Sequence, residues 1–593
     1  MPGKLILSLL LAAHVLGPFV PPVPALSAAD ELDYWTTHAT VKVRPDDPPR
    51  ARTLATIAAA RNEFESFQVV LHSDRDIHEI DVEVSSLTGE QGARIDAGHL
   101  TVYRVDSIDI EVPSSRQSQP GEWPDPLVPR VDRYFGERRN AFPFSIRGGR
   151  NQPIWIEVYV PSGAQPGLYE GEATVTVAGE IAAVVPLRLE VWPFTLPSTA
   201  SLPTSFGFSG LTALRQHDGD LVEVSRLYAR AALLHRISLH GGSWRTPDVV
   251  RIGRGFRLDW DGYDAEMGGF LDGTVLGAGD PLPGARVTSV DLRTPGSLAD
   301  VEERLAYWRA WAEHFRDKGW LDRLFFYLFD EPQGEEDYAR ILELGRELRR
   351  ADPEIRTLLT EQVVPSLLDV VDIWVPLINC VHAKPDFAPW CEGSASVAEA
   401  PDAGTFWAYQ SCASHGCNIV GGDYFDGWPT YVIDAPAVGN RVMQWIAWRY
   451  RIEGELYYNT VEGYGGGGNP WRDPRLYGGN GEGTLFYPGT PERIGGRREI
   501  PIESLRLKLI RDGLEDYEYL VLLAAAGDRE YADRQAGTVA ATPFGWDSNP
   551  EILLGARRRL ADRIVRLQGA NAASTLLRSA GAAPAAATPA ARR

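Results

Sequence analysis

Cysteine is scarce in this chain, with four residues among 593. Cys380, Cys391, Cys412 and Cys417 all fall in one short stretch. None of them forms a close C-x-x-C pair, so a zinc site is disfavoured and one or two disulfides pinning a loop are expected. Positive charge is also short, because 59 Lys and Arg face 80 Asp and Glu for a formal charge of −21. That balance argues against nucleic acid or an anionic membrane surface as a partner, since both demand clustered cations. No His pair stands at metal-ligand spacing, and neither a metal nor a cofactor is expected. The run Gly465-Gly466-Gly467-Gly468 lacks the Lys-Ser/Thr ending of a phosphate-binding loop and reads as a flexible loop. Beyond the N-terminus no apolar run reaches the length needed to cross a bilayer.

What is present begins with Met1-Pro2-Gly3-Lys4, followed by the apolar run Leu5–Ala13 and by small residues at Val23-Pro24-Ala25 and Ser27-Ala28. Residues 1–28 read as a secretory signal peptide, which predicts a secreted or periplasmic protein in a compartment where disulfides persist. The remaining chain is too long for one core and predicts two or three domains. Seventeen Trp and 22 Tyr exceed what such cores need, and aromatic faces are surfaces on which sugar rings stack.

Residues 29–198 alternate in short strands, as in Phe67-Gln68-Val69-Val70-Leu71 and Ile154-Trp155-Ile156-Glu157-Val158, separated by Gly and Pro turns. This pattern predicts an antiparallel β-sandwich. From 199 to 525 strand and helix alternate, with helices expected near 222–234, 298–318 and 335–350 and strands near 237–240, 324–329 and 356–360. That alternation predicts a (β/α)8 TIM-like barrel carrying the catalytic site. Long inserts such as 241–279 are expected to form loops around its mouth. A closing helix is expected from about Ile502, a C-terminal helical extension over 526–569, and a disordered Ala/Pro-rich tail over 570–593.

The segment Leu324-Phe325-Phe326-Tyr327-Leu328-Phe329-Asp330-Glu331-Pro332 is an apolar strand that stops at two adjacent carboxylates. In a barrel its C-terminal end faces the mouth, where active sites are built. Either acid could instead cap the helix that follows. Adjacent residues of a regular strand point to opposite sides, so both serve one site only where the backbone bends. Their carboxyls then lie side by side, which disfavours a direct displacement by two carboxylates flanking the scissile bond. The arrangement suits substrate assistance, in which the 2-acetamido oxygen of the sugar is the nucleophile. Glu331 would be the general acid and base, and Asp330 would orient the acetamido group.

Candidate substrate-binding residues carry a weaker signal. Trp407 and Tyr409 share one side of a strand and could stack on a sugar or fill a barrel. Tyr458 and Asn459 end another strand, and His240 ends a third. Asp434 could bond a sugar hydroxyl or cap a helix. Trp471, in the Gly-rich stretch 463–483, is hard to explain as core and is the preferred stacking platform. The Glu515-Asp516-Tyr517-Glu518 cluster lies within a helix and reads as structural.

The segment from Glu503 to Leu520 resembles the signature of domain of unknown function 4091, a group similar to glycoside hydrolase family 123. Matching pieces are residues 60–68, Trp123-Pro124-Asp125-Pro126-Leu127, Gln152-Pro153-Ile154-Trp155, Asp330-Glu331-Pro332 and Asn469-Pro470-Trp471. The resemblance implies a retaining, substrate-assisted β-N-acetylgalactosaminidase, with its adjacent Asp-Glu pair falling on Asp330 and Glu331. A glycan or glycoconjugate is the implied substrate. A glycosidase for a sugar lacking the acetamido group and a non-catalytic glycan-binding protein are the alternatives. Oligomeric state stays open.

Overall fold

The computed structural model describes residues 31–241, 245–253, 255–298, 300–382, 384, 403–412, 414, 417 and 427–581, the stretch 570–581 by its backbone alone. The expected signal peptide, Cys391 and the end of the Ala/Pro-rich tail lie outside these residues.

The N-terminal part is β-rich and consists of two facing sheets. One has seven strands in the order Asp33–His38, Glu63–His72, Gln152–Val160, Leu100–Ile110, Gly121–Pro129, Ile500–Ser504 and Phe486–Gly489, all antiparallel. The other runs Ala55–Arg61, Glu180–Thr195, Gly167–Val177, Ile77–Val84 and Phe144–Ile146, with its first pair parallel. Alternation packs Val69, Leu71, Val82, Ile154, Ile156, Val175, Leu187 and Leu189 between the sheets.

Two departures from the sequence reading have physical causes. The helix expected from about Ile502 starts only after Ser504, whose side chain accepts from Leu507 N, because Ile500–Ser504 is a strand that extends the seven-stranded sheet and the helix runs Leu505–Ala525. That helix covers the outer face of the same sheet, where Leu505 and Leu509 meet Tyr103, Leu127 and Trp155. Hence the strand Glu63–His72 is buried on both faces along almost its whole length. The C-terminal helix runs from Pro550 to Gly581, past the expected end at 569.

Parallel strands make up the centre of the C-terminal part. Leu239–His240, Thr204–Gly207, Glu455–Tyr457 and Ala408–Tyr409 form one set in that order. Val290–Asp291, Leu324–Phe329, Arg356–Leu359, Ile373–Trp374 and Thr405–Phe406 form another. Trp407 joins the two sets within one stretch of chain. Helices Leu221–Leu234, Val301–Lys318 and Glu335–Ala351 lie between successive strands, close to the expected positions. Asp220 and Asp300 cap the first two through backbone N–H groups. The 241–279 insert contains a hairpin, Asp248–Ile252 with Gly255–Asp259, and the helix Asp261–Asp272.

Candidate active site

The strand Leu324–Phe329 ends with Asp330 exposed and Glu331 half-buried. Its register with Arg356–Leu359 shifts between Tyr327 and Phe329, and Glu331 has φ of 48°, in the left-handed region. For a residue with a side chain this conformation costs of order 1 kcal/mol, and surrounding contacts must hold it. Here Glu331 N donates to Thr360 Oγ1 at 2.9 Å, on the segment that follows the neighbouring strand. The backbone therefore bends between the strand and Glu331. Neither acid caps the next helix, whose N-cap is Gly334 with no side-chain bond.

Each carboxylate has its own donors. Tyr327 OH donates to Asp330 Oδ1 at 2.8 Å, and Thr360 Oγ1 lies 3.1 Å from the same oxygen. Tyr409 OH donates to Glu331 Oε1 at 2.6 Å, and Ser414 Oγ donates to that oxygen too. Burial, reinforced by the adjacent carboxylates, pushes both Tyr327 and Tyr409 well above the usual phenol range, so both remain protonated donors. Glu361 faces Glu331, and burial raises its carboxyl.

His240 belongs to this group. Its Nδ1 is 3.0 Å from Ser205 Oγ and its ring meets Tyr327 edge-on at 6.3 Å. Burial lowers its pKa while Asp291 and Asp330 pull the other way. Trp407 sits deeper, buried with Phe325, Leu358, Ile373, Val375 and Leu456, and fills space between strands. Tyr458 follows the strand Glu455–Tyr457, and its buried hydroxyl has no hydrogen-bond partner among the described residues. Asn459 turns its amide to Glu462 and its oxygen to Thr460 N and Val461 N.

Two candidates are placed elsewhere. Asp434 is buried and accepts from Ser114 N at 2.7 Å, from Ser114 Oγ and from Asn480 Nδ2, which ties a loop of the N-terminal part to the strand-end region. Trp471 lies against Tyr487 at 5.0 Å with the Arg493 guanidinium over its ring, and its Nε1 donates to Pro488 O. It is half-buried and packs on the N-terminal core.

Sequence reasoning missed Tyr327, Thr360, Glu361 and Ser414. The rule that strand ends carry chemistry points to Thr360 and Glu361, and three-residue spacing from Asp330 points to Tyr327. Ser414 carried no signal. Cys412 is bonded to Cys417, Cys380 is disulfide-bonded too, and no free cysteine occurs among the described residues. Among the same residues no group of His, Cys, Asp and Glu is arranged to hold a metal ion. No helix among them is long and apolar enough to cross a membrane.

The profile of the glycoside hydrolase 123 N-terminal domain matches residues 38–177, and that of the glycoside hydrolase 123 catalytic domain matches residues 301–523. A family 123 glycoside hydrolase from Clostridium perfringens, described for glycolipid glycan hydrolysis, superposes with a TM-score of 0.63 at 14% identity, covering 92% of this chain and 99% of that one. The overall fold is shared with that enzyme. A family 39 glycoside hydrolase from Bacteroides cellulosilyticus gives a TM-score of 0.32 at 11% identity over 78% and 82% of the two chains. No curated protein sequence matches the chain.

Proposed function

This chain is a glycoside hydrolase, similar to family 123 in both its N-terminal and its catalytic domain, and on that premise we propose that it releases β-linked N-acetylhexosamine, foremost N-acetylgalactosamine, by a retaining, substrate-assisted mechanism. The observation that supports this reading is the bend at Glu331, which follows Asp330 directly, together with the separate donors of the two carboxylates. Side-by-side carboxyls cannot flank a scissile bond from opposite faces of the sugar, so the nucleophile is assigned to the substrate.

Asp330, fixed by Tyr327 and Thr360, accepts the acetamido N–H and supports the positive charge of the oxazolinium ring as the acetamido oxygen attacks C1. Glu331 gives its proton to the leaving oxygen, then takes one from the water that opens the ring. Tyr409 remains a donor to Glu331 through both steps. His240, next to Asp330 and largely desolvated, is the side chain we assign to a sugar hydroxyl. Trp407 serves as the floor beneath the site.

The same reading extends to architecture and location. Two sets of parallel strands, joined at Trp407 where Thr405–Phe406 and Ala408–Tyr409 count as one interrupted strand among eight, and a 3.3 Å contact of Gly241 N with Asp291 Oδ1 between the outer edges support a closed (β/α)8 barrel. The sandwich of 29–198 and a barrel of 199–525 would then share the strands Phe486–Gly489 and Ile500–Ser504. The N-terminal signal pattern supports export, and glycolipid glycans are a substrate class to test, given the Clostridium relative.

Hydrolysis of a panel of aryl β-glycosides tests the proposal. Turnover of N-acetylated substrates alone is expected, inhibited by a thiazoline mimic of the cyclic intermediate. Glu331→Gln and Asp330→Asn are expected to lose about 10²- to 10⁴-fold in kcat. Turnover of plain galactosides or glucosides by the same site would overturn substrate assistance.

A further inference from the structure

We propose that Ser414 is a positioning residue for the general acid Glu331, and that the Cys412–Cys417 disulfide is the clamp that holds it there. The inference rests on the assignment of Glu331 as acid, and adds to it a residue and a covalent device. Ser414 lies between the two bonded cysteines and donates through Oγ to Glu331 Oε1. Tyr409, three residues before Cys412, donates to the same oxygen at 2.6 Å.

Two donors on one carboxylate oxygen have a consequence for proton transfer. Oε1 accepts both bonds whether the carboxyl is charged or neutral, so the proton is directed to Oε2, the oxygen left for the leaving group. A single donor would leave the carboxyl free to rotate and to share its proton between both oxygens. Holding the acid within reach of the glycosidic oxygen supplies part of the rate enhancement that orientation provides.

The clamp itself is firmly seated. Both sulfurs belong to a small buried cluster with Val432 and Ala435, and Cys412 is 1% exposed. A Cβ on Gly479 would come within 2.6 Å of Cys412 Sγ, so the backbone there approaches the disulfide closely. Cys412 N donates to Glu482 Oε1 at 2.9 Å. The bond closes a loop of five residue steps, which restricts the conformations open to Ser414 and lowers the entropy lost on making its hydrogen bond.

Leaving-group dependence separates positioning of the acid from a general structural role. A dinitrophenyl β-glycoside departs with little protonation, whereas a methylumbelliferyl or alkyl glycoside requires it. Ser414→Ala is expected to lower kcat about tenfold on the poor leaving groups and less than about twofold on the dinitrophenyl substrate, with KM little changed. Ser414→Thr, which keeps the hydroxyl, is expected to restore most of the loss. The Cys412→Ser/Cys417→Ser double variant is expected to show the same selective loss as Ser414→Ala, confirmed as folded by circular dichroism.

Equal losses on both substrate types would overturn the positioning role, as would an unchanged Ser414→Ala. A Ser414→Ala loss that the double cysteine variant fails to reproduce would overturn the clamp. Glu331→Gln is the control for the underlying assignment. Selective collapse of that variant on poor leaving groups with an unaffected Ser414→Ala rejects only the present inference, whereas an active Glu331→Gln on poor leaving groups rejects the assignment of the acid.

Discussion

At the scale of single residues, chemistry in this protein depends on where desolvation is allowed to act. Asp330 and Glu331 were legible because an apolar run broke abruptly into two acids. Tyr327 was not, since an aromatic within that run reads as core, and its hydroxyl reaches Asp330 only once the strand bends. Trp471 misled in the opposite direction, because a Trp among glycines looks exposed until Tyr487 and Arg493, from the segments that follow it, pack against its ring. Glu482 shows what burial alone does. Fully buried, with donors from Cys412 N and Ser411 that only partly offset the desolvation, its carboxyl is pushed up to about 7 from the ordinary 4.5. Its folded pKa is raised, so the folded chain binds the proton more tightly than the unfolded chain does. The stability it contributes is full below about pH 4.5 and is lost as pH rises through about 7. Glu482→Gln keeps the neutral form at every pH. The variant is expected to match the parent in unfolding midpoint near pH 4.5 and to exceed it near pH 8, by up to roughly 3 kcal/mol in denaturant titrations. Equal pH dependence in both proteins would refute this.

At the scale of elements, the helices around the parallel strands were read well because their periodicity and caps are local properties. Asp220 and Asp300 cap the first two of these helices, each from the position directly before its helix. The strands were harder, since several have only two residues and take their direction from neighbours. Trp407 carries this lesson for packing. Its alternation with Tyr409 was evident and both rings enter one buried cluster between strands, but only Tyr409 carries a hydroxyl that reaches Glu331. Gly454 makes room for the Trp407 indole, and a Cβ there would overlap the ring. Gly454→Ala is expected to cost about 1–3 kcal/mol and to lower kcat by displacing the strand that carries Tyr409. Gly465→Ala, where nothing lies within 4 Å of the added carbon, is expected to stay within about 0.5 kcal/mol, both read from thermal unfolding.

At the scale of the whole molecule, the two parts are interlocked rather than merely adjacent. Strands Phe486–Gly489 and Ile500–Ser504 complete the N-terminal sheet, and the helix Leu505–Ala525 lies across its outer face. That interface buries charge. Arg506 donates to Asp125 Oδ1 and Oδ2, Tyr431 O, Gly481 O and Thr484 O, while Lys508 and Arg511 share Glu157. Removing one partner of such a pair strands the other without water. Asp125→Asn is therefore expected to destabilise by about 3–5 kcal/mol, and calorimetry of the parent is expected to give one transition for both parts. Two well-separated transitions, or a silent Asp125→Asn, would count against the interlock. The acidic cluster of that helix, read as structural, is so: Glu515 meets Arg236, Asp516 meets Arg441 and Glu518 accepts from Ser201. The sequence by itself determined the properties that adjacent residues impose on one another: strand and helix periods, caps, the scarcity of cations, and the paired acids at a strand end. Tertiary structure alone decided which hydroxyls reach those acids, which aromatics are covered, and that strands from the far end of the chain finish the first sheet. Those outcomes depend on how separate segments fold onto one another, over short separations for Tyr327 and Asp330 and over most of the chain for Leu127 and Glu503, and a local pattern has no means of specifying them.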